Sequence, residues 1–98
     1  MALLVIQHPV AEFQAWKQTF DSDPMGRAIN GVTRHSILRA ADEPHVVVVH
    51  LEFESREKAQ KFLVSLRKLW INVGNQIGFG SPEGVQARVP DEIERVDY

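Results

Sequence analysis

The stretch Asp42-Glu43-Pro44-His45-Val46-Val47-Val48-Val49-His50-Leu51-Glu52-Phe53 decides the fold. Side chains alternate across a strand, so four consecutive valines put apolar groups on both faces of a sheet. A chain of 98 residues has too few helices to cover both faces. The second face needs a partner, so the same run that predicts a strand also predicts an association.

The rest of the composition narrows the class. With 44% hydrophobic and 24% charged residues, the chain suits one compact domain over residues 1–98 with a small core. A domain of this size buries only about two-thirds of its unfolded surface, so pairing would add useful stability. A formal net charge of −2 carries no gross footprint for nucleic acid or acidic membrane. Cysteine is absent, which excludes disulfides, thiolate metal sites and a cysteine nucleophile. The apolar run from Ala2 to Ile6 is too short for the core of a secretion signal, and no segment reaches the roughly 20 apolar residues that span a bilayer. The expected compartment is the cytoplasm.

Working outward from the valines, Ala2 to Gln7 reads as a first, apolar strand. Pro9 suits the first turn of a helix carrying Val10, Phe13, Trp16 and Phe20 as one apolar stripe. Ser22-Asp23-Pro24 reads as the cap of a second, short helix ended by Asn30-Gly31. Val32 to Ala40 is the second strand, Ala41 to Pro44 a polar hairpin connection, and His45 to Phe53 the third strand. Ser55 caps a longer helix in which Ala59, Phe62, Leu63, Leu66, Leu69, Trp70 and Val73 keep the helical period. A glycine-rich loop over residues 72–84 follows. Val85 to Val89 resumes strand character, and Ile93 to Val96 continues it past a bulge or forms an edge arm.

The order strand, helix, strand, strand, helix, strand predicts an α+β, ferredoxin-like βαββαβ domain: a four-stranded antiparallel sheet with helices on one face and the first and third strands central. Parity then sorts the strand residues. Leu4, Ile6, Val47, Val49, Leu51, Phe53, Val85, Ala87 and Val89 go under the helices. Leu3, Val5, Gln7, Thr33, His35, Ile37, Arg39, Val46, Val48, His50, Glu52, Gln86 and Arg88 go to the open face. That half-apolar mixture suits a homodimer seam centred on Val46, Val48 and His50, burying on the order of 1,200–2,000 Å².

Several stretches together resemble a known superfamily: His8-Pro9-Val10, Phe13 with Trp16-Lys17, Phe20-Asp21, Arg27, Gly31-Val32, the hairpin from Leu38-Arg39 to Asp42 and Pro44, and Phe53 with Glu57, Ala59 and Phe62. With Gly80-Ser81-Pro82-Glu83 before the last strand, they are similar to the dimeric α/β-barrel superfamily, near its antibiotic-biosynthesis monooxygenase group. The resemblance implies two subunits forming an α/β barrel. It spans cofactor-free monooxygenases, haem-degrading enzymes, cyclases, isomerases and members with no assigned chemistry. The haem-degrading Asn, Trp and His set finds no matching positions, so that activity is not implied. Glu12 stands where relatives often have aspartate.

Two places offer chemistry. A four-residue hairpin loop sets His35 opposite His50, and a six-residue loop sets it opposite Glu52. Either register gathers imidazole and carboxylate on the open face, as a general base with its orienter or as a satisfied polar cluster in the seam. His45 and His50 point to opposite faces and cannot share a metal, so a metal would rest only on His35, His50 and Glu52 converging, and none is expected. On the helix side, parity places His8, Arg34 and Ser36 near Phe13, Trp16, Phe20 and Trp70, the make-up of a small-molecule pocket or of a packed core. The resemblance favours that side for a ligand, with Asn75 and Phe79 of the glycine-rich loop reaching in from a lid. That loop neither follows a strand nor opens a helix, so it is not a phosphate-binding motif. The basic residues Arg56, Lys58, Lys61, Arg67 and Lys68 lie on the outer face of the long helix, without the aromatic platform of a nucleic-acid binder.

The resulting expectation is a homodimeric small-molecule-binding α/β-barrel protein, working without a cofactor. The alternative is a cofactor-free monooxygenase, or a cyclase- or isomerase-like enzyme, acting on a planar oxygenated molecule held by His8, Arg34 and Trp70.

Overall fold

Residues whose apolar groups recur every second position pair into a sheet, and those recurring every third or fourth cover it. In the computed structural model, which describes residues 2–23, 25–73 and 85–98 (the backbone alone for 69–73), this gives β1 (Ala2–Pro9), α1 (Phe13–Asp21), β2 (Val32–Ala40), β3 (Glu43–Phe53), α2 (Arg56–Val73) and β4 (Gln86–Arg88). The sheet order is β2-β3-β1-β4 with every neighbour antiparallel, so β1 and β3 are central as the ferredoxin-like order requires.

The valine run behaves as its parity dictates. Val47, Val49, Leu51 and Phe53 are buried beside Leu4, Ile6 and His8 of β1, while Val46, Val48 and His50 are half-buried on the other face. α2 closes the core with Ala59, Phe62, Leu63 and Leu66, and Phe62 packs on Phe53 at 5.5 Å between ring centroids. Ser55 caps α2 as expected, its Oγ accepting from the Lys58 N–H at 3.2 Å.

Three local expectations need correction. Pro9 does not open a helix: it ends β1 opposite Val46, on a strand end where its missing N–H matters little. The helix starts four residues later, where Glu12 accepts from the N–H groups of Gln14 and Ala15 at 3.0 and 2.8 Å, lowering its own pKa. Val10 is therefore buried from the connection rather than from α1. The described residues between Ser22 and Gly31 form turns instead of a second helix. Their end still follows the helix-stop chemistry, with Gly31 at φ 97°, its N–H bonded to Ala28 O and the Val32 N–H bonded back to Arg27 O.

The third correction moves side chains between faces. Only Ala41 and Asp42 separate the hairpin strands, and the ladder shifts between Ala40↔Glu43 and Arg39↔Val47. Pro44, which cannot donate to a ladder, lies inside that irregularity. The shift sets Arg34, His35 and Ser36 opposite Glu52, Leu51 and His50, a register between the two expected ones. A one-residue slip reverses every face of a strand. His35, Ile37 and Arg39 thus point to the helix side, and Arg34 and Ser36 to the open side. Beyond β4, residues 89–98 carry no regular structure, so the segment Ile93 to Val96 is an arm rather than a strand.

Candidate functional site

α1 presents Phe13, Trp16 and Phe20 to the sheet at the spacing of one helical face, and they stack into a ladder of rings. Trp16 lies 5.8 Å from Phe13 and 5.2 Å from Phe20, centroid to centroid. His8 of β1 joins the ladder at 5.5 Å from Trp16, and His35 of β2 stands edge-on to Phe20 at 5.1 Å. Arginines seal both ends through the faces of the outer rings: Arg39 4.8 Å above Phe13 and Arg27 3.8 Å above Phe20. Arg27 is further held by donating to Phe20 O at 2.8 Å and by Asp23 at 3.6 Å.

Two polar groups lie inside the ladder. His8 is only 2% exposed, and burial pushes its pKa below the ordinary 6.5, partly offset by the bond to Pro9 O. Its Nδ1 lies 3.0 Å from that carbonyl, which can only accept. Nδ1 therefore carries the proton, and Nε2 carries the lone pair of a neutral imidazole. Trp16 is 1% exposed, and its indole Nε1 is the one buried side-chain polar atom among the described residues without a hydrogen-bond partner. A buried donor left unmade costs about 1–3 kcal/mol, so the fold tolerates a penalty at the centre of this cluster.

The expected site residues separate accordingly. His8, Trp16 and Phe20 come together, and His35 joins them from the face opposite to that expected. Arg34 leaves the helix side: it is 73% exposed on the open face, 3.8 Å from Glu52. Ser36 is exposed there opposite His50. The expected gathering of His35 with His50 and Glu52 is thereby undone, since the sheet lies between them. Among the described residues no three His, Asp or Glu side chains approach one another as metal ligands. The Trp70 side chain and the residues Asn75 and Phe79 lie outside the described residues. Reading from the residue types alone did not single out Arg27 and Arg39 as lids on the aromatic rings. Their positions, seven residues past Phe20 and immediately before the hairpin irregularity, acquire meaning only with the fold.

Two open concavities lie on the described surface, the smaller of which includes Arg27 and His35 of the cluster. One of about 240 Å³ lies against β2, lined by Asp23, Arg27, Val32, Arg34 and His35 among others. The larger, about 380 Å³, runs between the turn segment and α2 over Met25, Ile29, Lys58, Lys61 and Phe62. Among the described residues no helix is long and apolar enough to cross a membrane.

No family model matches the chain, and no curated protein matches it by sequence. Solved structures do match over nearly its whole length. A variant of SnoaB, a cofactor-independent oxygenase from Streptomyces nogalater, superposes with a TM-score of 0.69 at 13% identity, covering 99% of this chain and 97% of that one. A monooxygenase of Streptomyces coelicolor in complex with nanaomycin D gives 0.58 at 16% identity over 99% and 91%. A dimeric ferredoxin-like protein from an uncultured marine organism gives 0.58 at 15% identity over the whole of both chains. The chain has the fold that these monooxygenase-like and dimeric ferredoxin-like proteins share.

Proposed function

We propose that the chain is a homodimeric small-molecule-binding protein whose ligand presents an acceptor oxygen to the indole N–H of Trp16 beside His8. The orphan donor at Trp16 carries this reading. A buried N–H surrounded by rings and left without a partner is satisfied when a flat molecule with a carbonyl or phenol oxygen replaces part of the packing. The solved structures named as oxygenases, one of them holding nanaomycin D, support a planar oxygenated ligand.

Pairing follows from the open face. Leu3, Val5, Val46 and Val48 form its half-buried apolar centre, with Arg34, Ser36, His50 and Glu52 around it. Among the described residues helices cover only the other side, so a second copy is the cover of matching size and shape.

The neutral, Nδ1-protonated His8 favours a second, more specific reading, cofactor-free oxygenation. Nε2 would take a proton from a carbon or phenol of the substrate, and the resulting anion would pass electrons to dioxygen. For an anthrone, CH₂ becomes C=O, one O₂ is consumed and one water is released.

Titrating the protein with 1,8-dihydroxyanthraquinone while following tryptophan fluorescence tests binding. Saturable quenching, weakened about tenfold by Trp16→Phe, is expected for one lost hydrogen bond. Equal affinity of the two proteins would remove Trp16 from the site. Oxygen uptake with 1,8-dihydroxyanthrone, abolished by His8→Gln while anthraquinone binding persists, is the result expected of the oxygenase. Binding without uptake leaves the binding protein alone.

A further inference from the structure

We infer that the groove between the turn after α1 and the flank of α2 is a second binding site, for an aryl carboxylate that lays its ring on Met25, Ile29 and Phe62 and its anion between Lys58 and Lys61. The groove shares no lining residue with the aromatic ladder, and it does not depend on the ligand proposed for Trp16.

The groove holds about 380 Å³, inside the range of about 300–1,000 Å³ usual for small-molecule sites. Its floor is apolar. Phe62 is buried against Phe53, and Met25 packs on the same core. Ile29 lines the groove yet is 92% exposed, a large aliphatic group left to solvent beside that floor. A ligand covering it would remove apolar surface from water. The sulfur of Met25 and the ring of Phe62 favour an aromatic body over an aliphatic one.

The wall that carries Ile29 is braced before any ligand arrives. The Asn30 side-chain amide donates to Met25 O and Gly26 O at 2.8 Å each, and the Asn30 backbone N–H bonds to Gly26 O at 3.1 Å. Gly31 at φ 97° lets the Lys58 stem lie against the turn, where a Cβ would fall 2.6 Å from Lys58 Cδ. The turn and α2 are therefore in direct contact where Lys58 lines the groove.

The rim supplies the charge. Between Arg56 and Lys68, α2 carries five basic residues and a single acid, Glu57. Arg56 pairs with Asp91, and Arg67 donates to Ala87 O at 3.3 Å. Lys58 and Lys61, three residues apart on one flank of the helix, are the two that line the groove. Their present partners are Glu54 at 2.7 Å and Glu57 at 3.1 Å, exposed pairs of the kind that hold their side chains weakly. A carboxylate whose ring is already buried on the floor adds that burial to its attraction for both ammonium groups. The same two acids disfavour a dianion such as a phosphate monoester, whose second charge would meet Glu54 and Glu57.

The probe is 2-naphthoate, titrated into the ¹⁵N-labelled full-length protein. Saturable shifts are expected at the amides of Met25, Ile29, Asn30, Lys61 and Phe62. Lys58→Gln with Lys61→Gln, which keeps most of both stems, should weaken binding about tenfold, and so should exchanging the probe for the neutral 2-naphthamide. Ile29→Ser, at a position the fold leaves exposed, should weaken it about tenfold as well. Shifts confined to the amides of α1 and β1 would place the probe in the ladder and overturn this site. Equal affinity for naphthoate and naphthamide, an affinity unchanged in the lysine variant, or no saturable shift at millimolar probe would each overturn it too.

Discussion

His8 and Trp16 share one packed contact, yet they respond to different perturbations. His8 is neutral when folded, and its pKa lies below the ordinary value of 6.5 because burial disfavours the cation. Above about 6.5 both folded and unfolded chains hold it neutral. Below that the unfolded chain takes up the proton first, so stability falls as pH drops from 6.5 toward the folded pKa. Urea denaturation between pH 7 and pH 5 should show this loss, with a slope of at most about 1.4 kcal/mol per pH unit from this group. In His8→Gln that part of the slope should vanish; an unchanged profile would contradict the buried neutral assignment. The helix-side position of His8 was legible from strand parity. The orphaned indole N–H of Trp16 was not, because hydrogen-bond satisfaction depends on every neighbour at once.

At the scale of elements, β1, β3 and α2 were legible as elements from their apolar patterns, although β1 runs on to Pro9 and β3 begins at Glu43, ends that the sequence signals misplaced. β2 was not legible in its faces, although its bounds were. Its residues take their sides from the register to β3, and an irregularity beside Pro44 shifts that register by an odd step. Arg34 and His35 exchanged places for that reason alone. The turn after α1 gives a second element-level prediction. Gly31 sits at φ 97°, and a Cβ there would fall 2.6 Å from Lys58 Cδ, whereas Gly26 at φ 68° meets nothing nearer than 3.9 Å. Gly31→Ala should cost about 1–2 kcal/mol through backbone strain, with the displaced Lys58 stem added. That corresponds to a fall in Tm of about 4–16 °C for a domain near this size. Gly26→Ala should lower Tm less, and a reversed ranking in thermal melts would contradict the close approach of α2 to this turn.

The whole molecule is organised by the two faces of one sheet. One face is sealed by α1 and α2 around the aromatic ladder. The other keeps Leu3, Val5, Val46 and Val48 at a surface that no element among the described residues covers. This division was readable from four consecutive valines, since a strand with apolar groups on both sides demands two covers. The chemistry was far less readable, because the ladder gathers residues from β1, α1 and β2 whose meeting depends on tertiary packing. Charging the centre of the open face should disrupt pairing while leaving the sealed core untouched, so Val48→Asp should abolish the dimer and retain the circular dichroism of the folded chain. The most direct measurement is the molar mass of the wild-type protein in solution by light scattering at micromolar concentration. The account predicts twice the chain mass of 11.1 kDa, and a stable species of 11.1 kDa would contradict it.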